Sequence, residues 1–390
     1  MYGYLSSLLQ SIREAGKTNR DIEKKMEEYC PYMQEMTAEA LRIFEKASLN
    51  MAWYNRLVEN REVIAEQLDA MAYIMEDCAK KQKNITEECR SNLQDIAYRA
   101  RERGIKVIDE QLWEKENGRW QLVMKVMVKD GCVTTRELTK AVAGALNRRM
   151  IPEKDTKTLI GKGVNLYTYE EEPRFQAIYG VARMVKDGAA VSGDNFSFLE
   201  PESGKMVMCL SDGMGSGSLA CKESEMVIGL VEKFLEAGFD VETAARMMNS
   251  AMVMKGQEDL FSTVDISELD LYDGTCRFYK IGAAATFIRR NGIVECLIST
   301  SLPVGVSYKL DMEKSEKDLY NGDFLVMVSD GVLEYLHVPN PEETMQEIIE
   351  SIETNNATIL AKRILERVLL FTGGKAADDM TVLATAIWEK

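Results

Sequence analysis

Histidine is nearly absent: His337 is the only one in 390 residues. Ser–His and Cys–His nucleophiles, and His-rich metal sites, therefore have at most one candidate. His337 lies in EYLHVPNP, just before a proline turn, and reads as a surface or helix-end residue, so any chemistry must run mainly on carboxylates. The eight cysteines include no CxxC pair, which argues against structural zinc. Several lie in apolar runs, such as Cys209 in MVMCLS, as reduced core residues of a cytosolic protein do. No apolar run reaches membrane-spanning length, and MYGYLSSLLQSIREAG lacks the zones of a signal peptide. The expectation is a cytoplasmic chain without a membrane segment, or the soluble part of a membrane-anchored one. Positive charge is also in deficit: 48 Lys and Arg against 63 Asp and Glu give a net charge of -15. That balance disfavours nucleic acid and anionic membrane surfaces as partners.

Proline is missing between Pro31 and Pro152, an interval dense in helix formers. Its pattern predicts helices near Tyr4–Glu28, Thr37–Ala79 and Thr86–Arg103. Leu57, Ile64 and Met71 are spaced by sevens in the longest, as are Arg61, Leu68 and Met75, close to a coiled-coil seam. From Arg119 the pattern changes. Trp120–Val128 reads as a strand, Asp130-Gly131 as a turn, and Leu138, Val142, Ala145 and Leu146 as the apolar face of a helix capped by Thr134 or Thr135. A strand follows at Val164–Tyr169. The acidic run Glu170-Glu171-Glu172-Pro173 reads as a linker and marks the main boundary.

Beyond it, short strands alternate with helices. Strands are expected at 175–186, 195–200, 205–210, 261–270, 275–281, 285–290, 293–298, 323–328 and 380–388. Helices are expected at 219–237, 241–255, 341–352 and 356–371. Hairpin-joined strands with helices in pairs predict an α+β fold, a sandwich of two sheets flanked by helices.

Five Asp-Gly pairs punctuate the chain. Asp130-Gly131, Asp187-Gly188 and Asp273-Gly274 fit hairpin turns, because both residue types tolerate positive φ. Asp212-Gly213 and Asp330-Gly331 differ: each follows a buried-looking strand (MVMCLS, FLVMVS) as Ser-Asp-Gly, with no second strand directly after. Two such carboxylates side by side repel unless a cation lies between them. Asp378-Asp379 stands before the last strand, and Asp194 stands where another begins. Carboxylates without His or Cys suit Mg²⁺ or Mn²⁺. The glycines of Asp212-Gly213-Met214-Gly215-Ser216-Gly217 make a flexible segment beside this cleft, although no GK[ST] closes a phosphate loop.

SGDNF (192–196), SDGMGSG (211–217), IGAAATFIRR (281–290), SLPVGV (301–306), LVMVSDGVLE (325–334) and DDMTVLA (378–384) together resemble the protein phosphatase 2C type of metal-dependent Ser/Thr phosphatases. The DGMGSG form and the segment MAWYNRLVENREVIAEQL (51–68) resemble the stage II sporulation protein E branch of that family. The resemblance implies an antiparallel two-sheet sandwich with two Mn²⁺ or Mg²⁺ ions at one edge. It implies that Asp212 bridges the ions, that Asp330 and Asp378 complete one site, and that Asp194 and the Gly213 carbonyl serve the other. Asp379 would stand behind these ligands. It also implies phosphoserine on an anti-anti-sigma factor as substrate, with release of a sporulation sigma factor as the result.

On this reading the chain divides into a helical regulatory region (1–115), a small mixed segment and linker (116–172) and a phosphatase domain (173–390). Docking of the long helix through Leu57 and Ile64 onto the helices after the Gly-rich loop would move Gly213, with Gly215 and Gly217 as the flexible positions. The bland alternative is that this helix only packs or forms a homodimer or higher oligomer. A catalytically idle scaffold on the same fold is the rival to the enzyme.

Overall fold

The computed structural model of the chain describes residue 42 and residues 82–390, except 116–117, 154–155, 202–203, 216, 255–260, 308 and 372. The helix expected at 4–28 and, apart from residue 42, the helix expected at 37–79, with Leu57 and Ile64, lie outside the described residues. The chain separates into two compact units, Met1–Asp69 and Ala70–Lys390, and the architecture below belongs to the second.

Its first part runs β1 (Gln82–Asn84), α1 (Arg90–Glu102), β2 (Ile105–Lys115), β3 (Trp120–Val128), β4 (Val133–Thr134), α2 (Thr135–Leu146), β5 (Met150–Pro152), β6 (Leu159–Ile160) and β7 (Asn165–Glu171). An antiparallel sheet is ordered β1-β2-β3-β7-β5. In β3 every second residue, Leu122, Met124, Val126 and Val128, is buried, as the two-residue period of a strand requires. That face packs on Leu93, Ile96 and Ala100 of α1 and Leu138, Ala141 and Val142 of α2.

Two expectations are corrected here. A division at 115/116 cuts through the β2–β3 pairing, where Trp113 faces Gln121 and Glu114 faces Trp120. Residues 82–171 thus form one sheet unit. In addition, Glu170 and Glu171 end strand β7 instead of forming a linker. Their charges are matched: Glu170 pairs with Lys115 at 3.0 Å, while Glu171 pairs with Arg148 and accepts from the Trp120 amide at 2.9 Å.

The second part holds β8 (Phe175–Met184), β9 (Asp194–Leu199), β10 (Lys205–Gly213), α3 (Ser218–Glu236), α4 (Val241–Met254), β11 (Ser262–Asp270), β12 (Thr275–Ile281), β13 (Thr286–Arg290), β14 (Ile293–Leu297), β15 (Glu313–Asp318), β16 (Phe324–Val328), α5 (Asp330–Glu334), α6 (Pro341–Glu350), α7 (Ala357–Phe371) and β17 (Met380–Glu389). Two antiparallel five-stranded sheets, β15-β12-β11-β10-β9 and β14-β13-β16-β17-β8, make the expected sandwich.

Strand alternation assigns each layer. Met206, Met208 and Leu210 of β10 meet Leu325 and Met327 of β16 between the sheets. Val207 and Cys209 face outward onto Val227, Val231, Ala244 and Met248 of α3 and α4. Phe324, Val326 and Val328 face outward onto Ile349, Leu360 and Ile364 of α6 and α7. Strands buried on both faces hold their ends rigidly, and each such Val, Leu, Ile, Phe or Met contributes roughly 1.5–3 kcal/mol. Cys209 and Cys276 are buried as expected, but Cys132 is exposed.

The two parts are joined by polar anchors. Arg119 lies 3.1 and 2.9 Å from the two carboxylate oxygens of Asp270 and stacks 3.7 Å from the Tyr272 ring centre, while the Tyr272 hydroxyl donates to the Glu171 carbonyl at 2.9 Å.

Candidate active site

The structure sorts the five Asp-Gly pairs by backbone geometry. Gly131, Gly188 and Gly274 adopt φ of 76°, 86° and 88°, the left-handed region of turns. Gly213 and Gly331 do not; both are instead needed for close backbone approach. A Cβ on Gly213 would stand 2.2 Å from the Ala220 carbonyl oxygen of α3, and one on Gly331 would stand 2.2 Å from the Asp379 carbonyl oxygen. Each glycine lets its aspartate sit where a strand end is pressed against a neighbouring element.

Asp212, the penultimate residue of β10, stands directly opposite Asp194, the first residue of β9. Directly opposed carboxylates on adjacent strands repel. From the second sheet, Asp330 follows β16 by two residues and opens α5, a small departure from its expected place at the strand end. Asp378 precedes β17. The ends of β16 and β17 are laced together: the Ser329 amide donates to the Thr381 carbonyl at 3.0 Å, and the Thr381 amide donates to the Ser329 hydroxyl at 2.9 Å. Each sheet thus contributes a pair of aspartates to one edge of the sandwich.

The electrostatics reflect this crowding. The Asp212 carboxyl is pushed up to about 11, first by burial and then by Asp330 and Asp194 beside it. Asp194 is fully buried, and burial raises its carboxyl too, with the charges of Asp330 and Asp379 adding to the effect. The Thr381 and Ser329 hydroxyls approach Asp194 and act in the opposite direction, yet neither of its carboxylate oxygens has a hydrogen-bond partner. Glu334 is raised by burial and by the charges of Asp330 and Asp378.

Asp379 has a different employment from Asp378. Its two oxygens accept the Lys186 amide at 2.9 Å and the Gly193 amide at 2.7 Å, so it braces the β8–β9 loop against β17. Asp378 is half-exposed, with Lys186 Nζ 3.5 Å from its carboxylate. The Gly213 carbonyl lies beside Gly193, and the Gly213 amide donates to the Gly193 carbonyl at 3.3 Å. Gly215 and Gly217 have φ of 99° and 79° and open space around them, in the loop leading to α3. His337 is exposed after α5, as its sequence context predicts.

Several site residues had no expectation attached. Ser211 bonds Ser262 Oγ at 2.8 Å, and Ser262 Oγ donates to the Asp212 carbonyl at 2.7 Å. Arg183 donates to the Asp194 carbonyl. The signal available in sequence was the serine shared by both Ser-Asp-Gly strand ends: each ties its strand end to a neighbour.

Among the described residues, no three Asp, Glu, His or Cys side chains are already closed around a metal position. The residues nonetheless fit a hard divalent cation. An isolated buried carboxylate is costly, the Asp194 oxygens are buried without partners, and the donors are oxygens alone.

A sequence model of the family "Stage II sporulation protein E (SpoIIE)" matches residues 202–387, and one of the SpoIIE regulatory domain matches residues 1–148. Stage II sporulation protein E of Bacillus subtilis (strain 168) is 26% identical over 381 residues, covering 97% of this chain and 46% of that protein. The protein of the same name from Priestia megaterium is 26% identical over 392 residues, covering 99% of this chain and 66% of that protein. The chain therefore spans between about half and two-thirds of these relatives' length. The solved structure of the PP2C phosphatase domain and a fragment of the regulatory domain of SpoIIE from Bacillus subtilis superimposes with a TM-score of 0.61 at 27% identity, covering 86% of this chain and 98% of that one. With both halves of the chain matched and the PP2C-like sandwich in place, the chain belongs to the stage II sporulation protein E family.

Proposed function

We propose that this chain is a metal-dependent protein serine/threonine phosphatase that hydrolyses phosphoserine on an anti-anti-sigma factor and thereby activates a sporulation sigma factor. The observation that carries this reading is the gathering of Asp194, Asp212 and Asp330 at one edge, with both Asp194 oxygens buried and unpartnered. Family membership supports it. Residues 173–390 would be the phosphatase domain and the residues before them the regulatory part, with a homodimer or higher oligomer formed through the helical region and a cytoplasmic site of action.

In this assignment Asp212, Asp330 and Asp378, together with Asp194 and the Gly213 carbonyl, would hold two Mn²⁺ or Mg²⁺ ions, with Asp212 serving both, Asp330 and Asp378 one, and Asp194 and the Gly213 carbonyl the other. Bound there, the ions supply an acidified water and offset the charge of the phosphoryl oxygens. Asp379 keeps the β8–β9 loop and β17 in register beneath them, and Arg183 fixes the backbone that carries Asp194. Ser211 and Ser329 hold the two strand ends. No side chain is asked to be a nucleophile, in keeping with a single, exposed histidine.

The test is phosphate release from a phosphoserine protein with and without Mn²⁺, beside the Asp212→Ala and Asp330→Ala variants. Metal-dependent release that both variants abolish supports the reading. Equal release by the variants overturns it. A wild-type chain that binds the metal but releases nothing is the idle scaffold instead. Faster turnover of a generic aryl phosphate than of the phosphoprotein would place the substrate among small phosphoesters.

A further inference from the structure

We infer that Lys186 binds the phosphoryl group of the substrate at the mouth of this site, an inference that rests on the phosphatase reading above. Its ammonium stands 3.5 Å from the Asp378 carboxylate, and the two side chains are 36% and 42% exposed, so both belong to the rim of the aspartate cluster. Three backbone hydrogen bonds fix the root of this side chain. The Lys186 amide donates to Asp379 Oδ1 at 2.9 Å, the Ala189 amide donates to the Lys186 carbonyl at 2.9 Å, and the neighbouring Asp187 amide donates to the Ala376 carbonyl at 2.7 Å. The stem beyond that root is free to swing, and a lysine head group is a compact charge on a flexible chain with three donors.

Its present partner is a carboxylate that the phosphatase reading assigns to a metal ion. Once Asp378 is so engaged, its charge is taken up and Lys186 is left facing the entrance without a counter-ion. A phosphomonoester carries about 1.5 to 2 negative charges at neutral pH and three acceptor oxygens, which is the group that a rim ammonium recognises. Arg183 already donates to the Asp194 carbonyl within the site, and Lys280 is buried against Asp265 at 2.6 Å in the sandwich interior.

The experiment compares wild type, Lys186→Met and Lys186→Arg with a phosphoserine protein substrate, at saturating and limiting Mn²⁺. Thermal melts establish that each variant is folded. A charge-assisted contact of this kind predicts a fall of about 10- to 100-fold in kcat/KM for Lys186→Met, carried mainly by KM. Inhibition by inorganic phosphate should weaken in parallel. Lys186→Arg should restore most of both, and the Mn²⁺ concentration for half-activity should stay near wild type. If Lys186 only balances the charge of Asp378, Lys186→Met will shift the Mn²⁺ dependence and leave KM and phosphate inhibition unchanged, which overturns the inference while the phosphatase reading stands. If wild type itself releases no phosphate with Mn²⁺, both fall.

Discussion

Replacing Gly213 by alanine tests why this strand end carries glycine. The new Cβ would stand 2.2 Å from the Ala220 carbonyl oxygen, 2.8 Å from its carbonyl carbon and 2.9 Å from its Cα. All three are backbone atoms, so no side-chain rotation relieves the clash. Ordinary contact begins at 3.4 Å, so β10 and the first turn of α3 must part by about 1.2 Å. Overpacking of this kind costs about 1–3 kcal/mol. The same displacement moves the Asp212 carboxylate and the Gly213 carbonyl, and a misplacement of about 1 Å in a catalytic site costs about 100-fold in rate. The control is Gly131→Ala, where φ is 76° and nothing lies within 4 Å. There the cost is backbone strain alone, about 1–2 kcal/mol. Thermal melts of the two variants should therefore shift by similar amounts. Mn²⁺-dependent phosphate release should drop about 100-fold in Gly213→Ala only. Wild-type activity in Gly213→Ala would refute the reasoning, because the helix could not then be both pressed on Gly213 and coupled to the site.

Lys280→Met leaves Asp265 with an uncompensated charge in the sandwich interior, where the two side chains are 4% and 3% exposed and Lys280 also reaches the Thr286 hydroxyl at 2.8 Å. The loss should be roughly 3–5 kcal/mol by urea denaturation, with Asp265→Leu in the same chain recovering most of it. The raised Asp212 carboxyl makes the metal-free protein sensitive to pH. The folded state keeps a proton that the unfolded chain releases near pH ~4. The stability it contributes is complete below that pH and is lost as pH rises toward the folded value. In chelator, Tm should fall between pH 5.5 and pH 8 more steeply for wild type than for Asp212→Asn, and added Mn²⁺ should raise wild-type Tm more at pH 8. Equal slopes for the two proteins would contradict this. Arg119→Ala removes the contacts to Asp270 and Tyr272 and should hasten protease cleavage around Pro173, read by gel; an unchanged cleavage rate would show that these contacts do not hold the two parts together.

Much of the sandwich is legible because its strands are buried on one or both faces, so their apolar patterns stand out. The distinction between turn-forming and strand-ending Asp-Gly pairs is legible for the same reason: MVMCLS and FLVMVS read as buried strands, and with no second strand directly after them a hairpin explains their Asp-Gly poorly. What stayed hidden was set by tertiary partners. Strand β2 lies among helix formers and is a strand because it pairs along its length with β3. Strand β15, EKSEKD, carries no apolar residue; it is an edge strand whose charges face solvent and pair across, as Glu316 does with Arg277 at 2.9 Å. Glu170 and Glu171 look like a linker until Lys115 and Arg148 arrive from other elements. The division of labour between Asp378 and Asp379 likewise depends on the Lys186 and Gly193 amides, which no local pattern announces.

The central claim is that the aspartates at this edge act through a divalent ion on a phosphorylated protein. The most direct measurement is phosphate release from a phosphoserine protein by wild type and Asp212→Asn, each with Mn²⁺ and with chelator, alongside the melting temperature of each metal-free protein. The account predicts release by wild type with Mn²⁺ only, none by Asp212→Asn, and a metal-free Asp212→Asn at least as stable as wild type at pH 8, because an amide enters the buried edge without having to take up a proton. Release that survives chelation, or that Asp212→Asn retains, would contradict it.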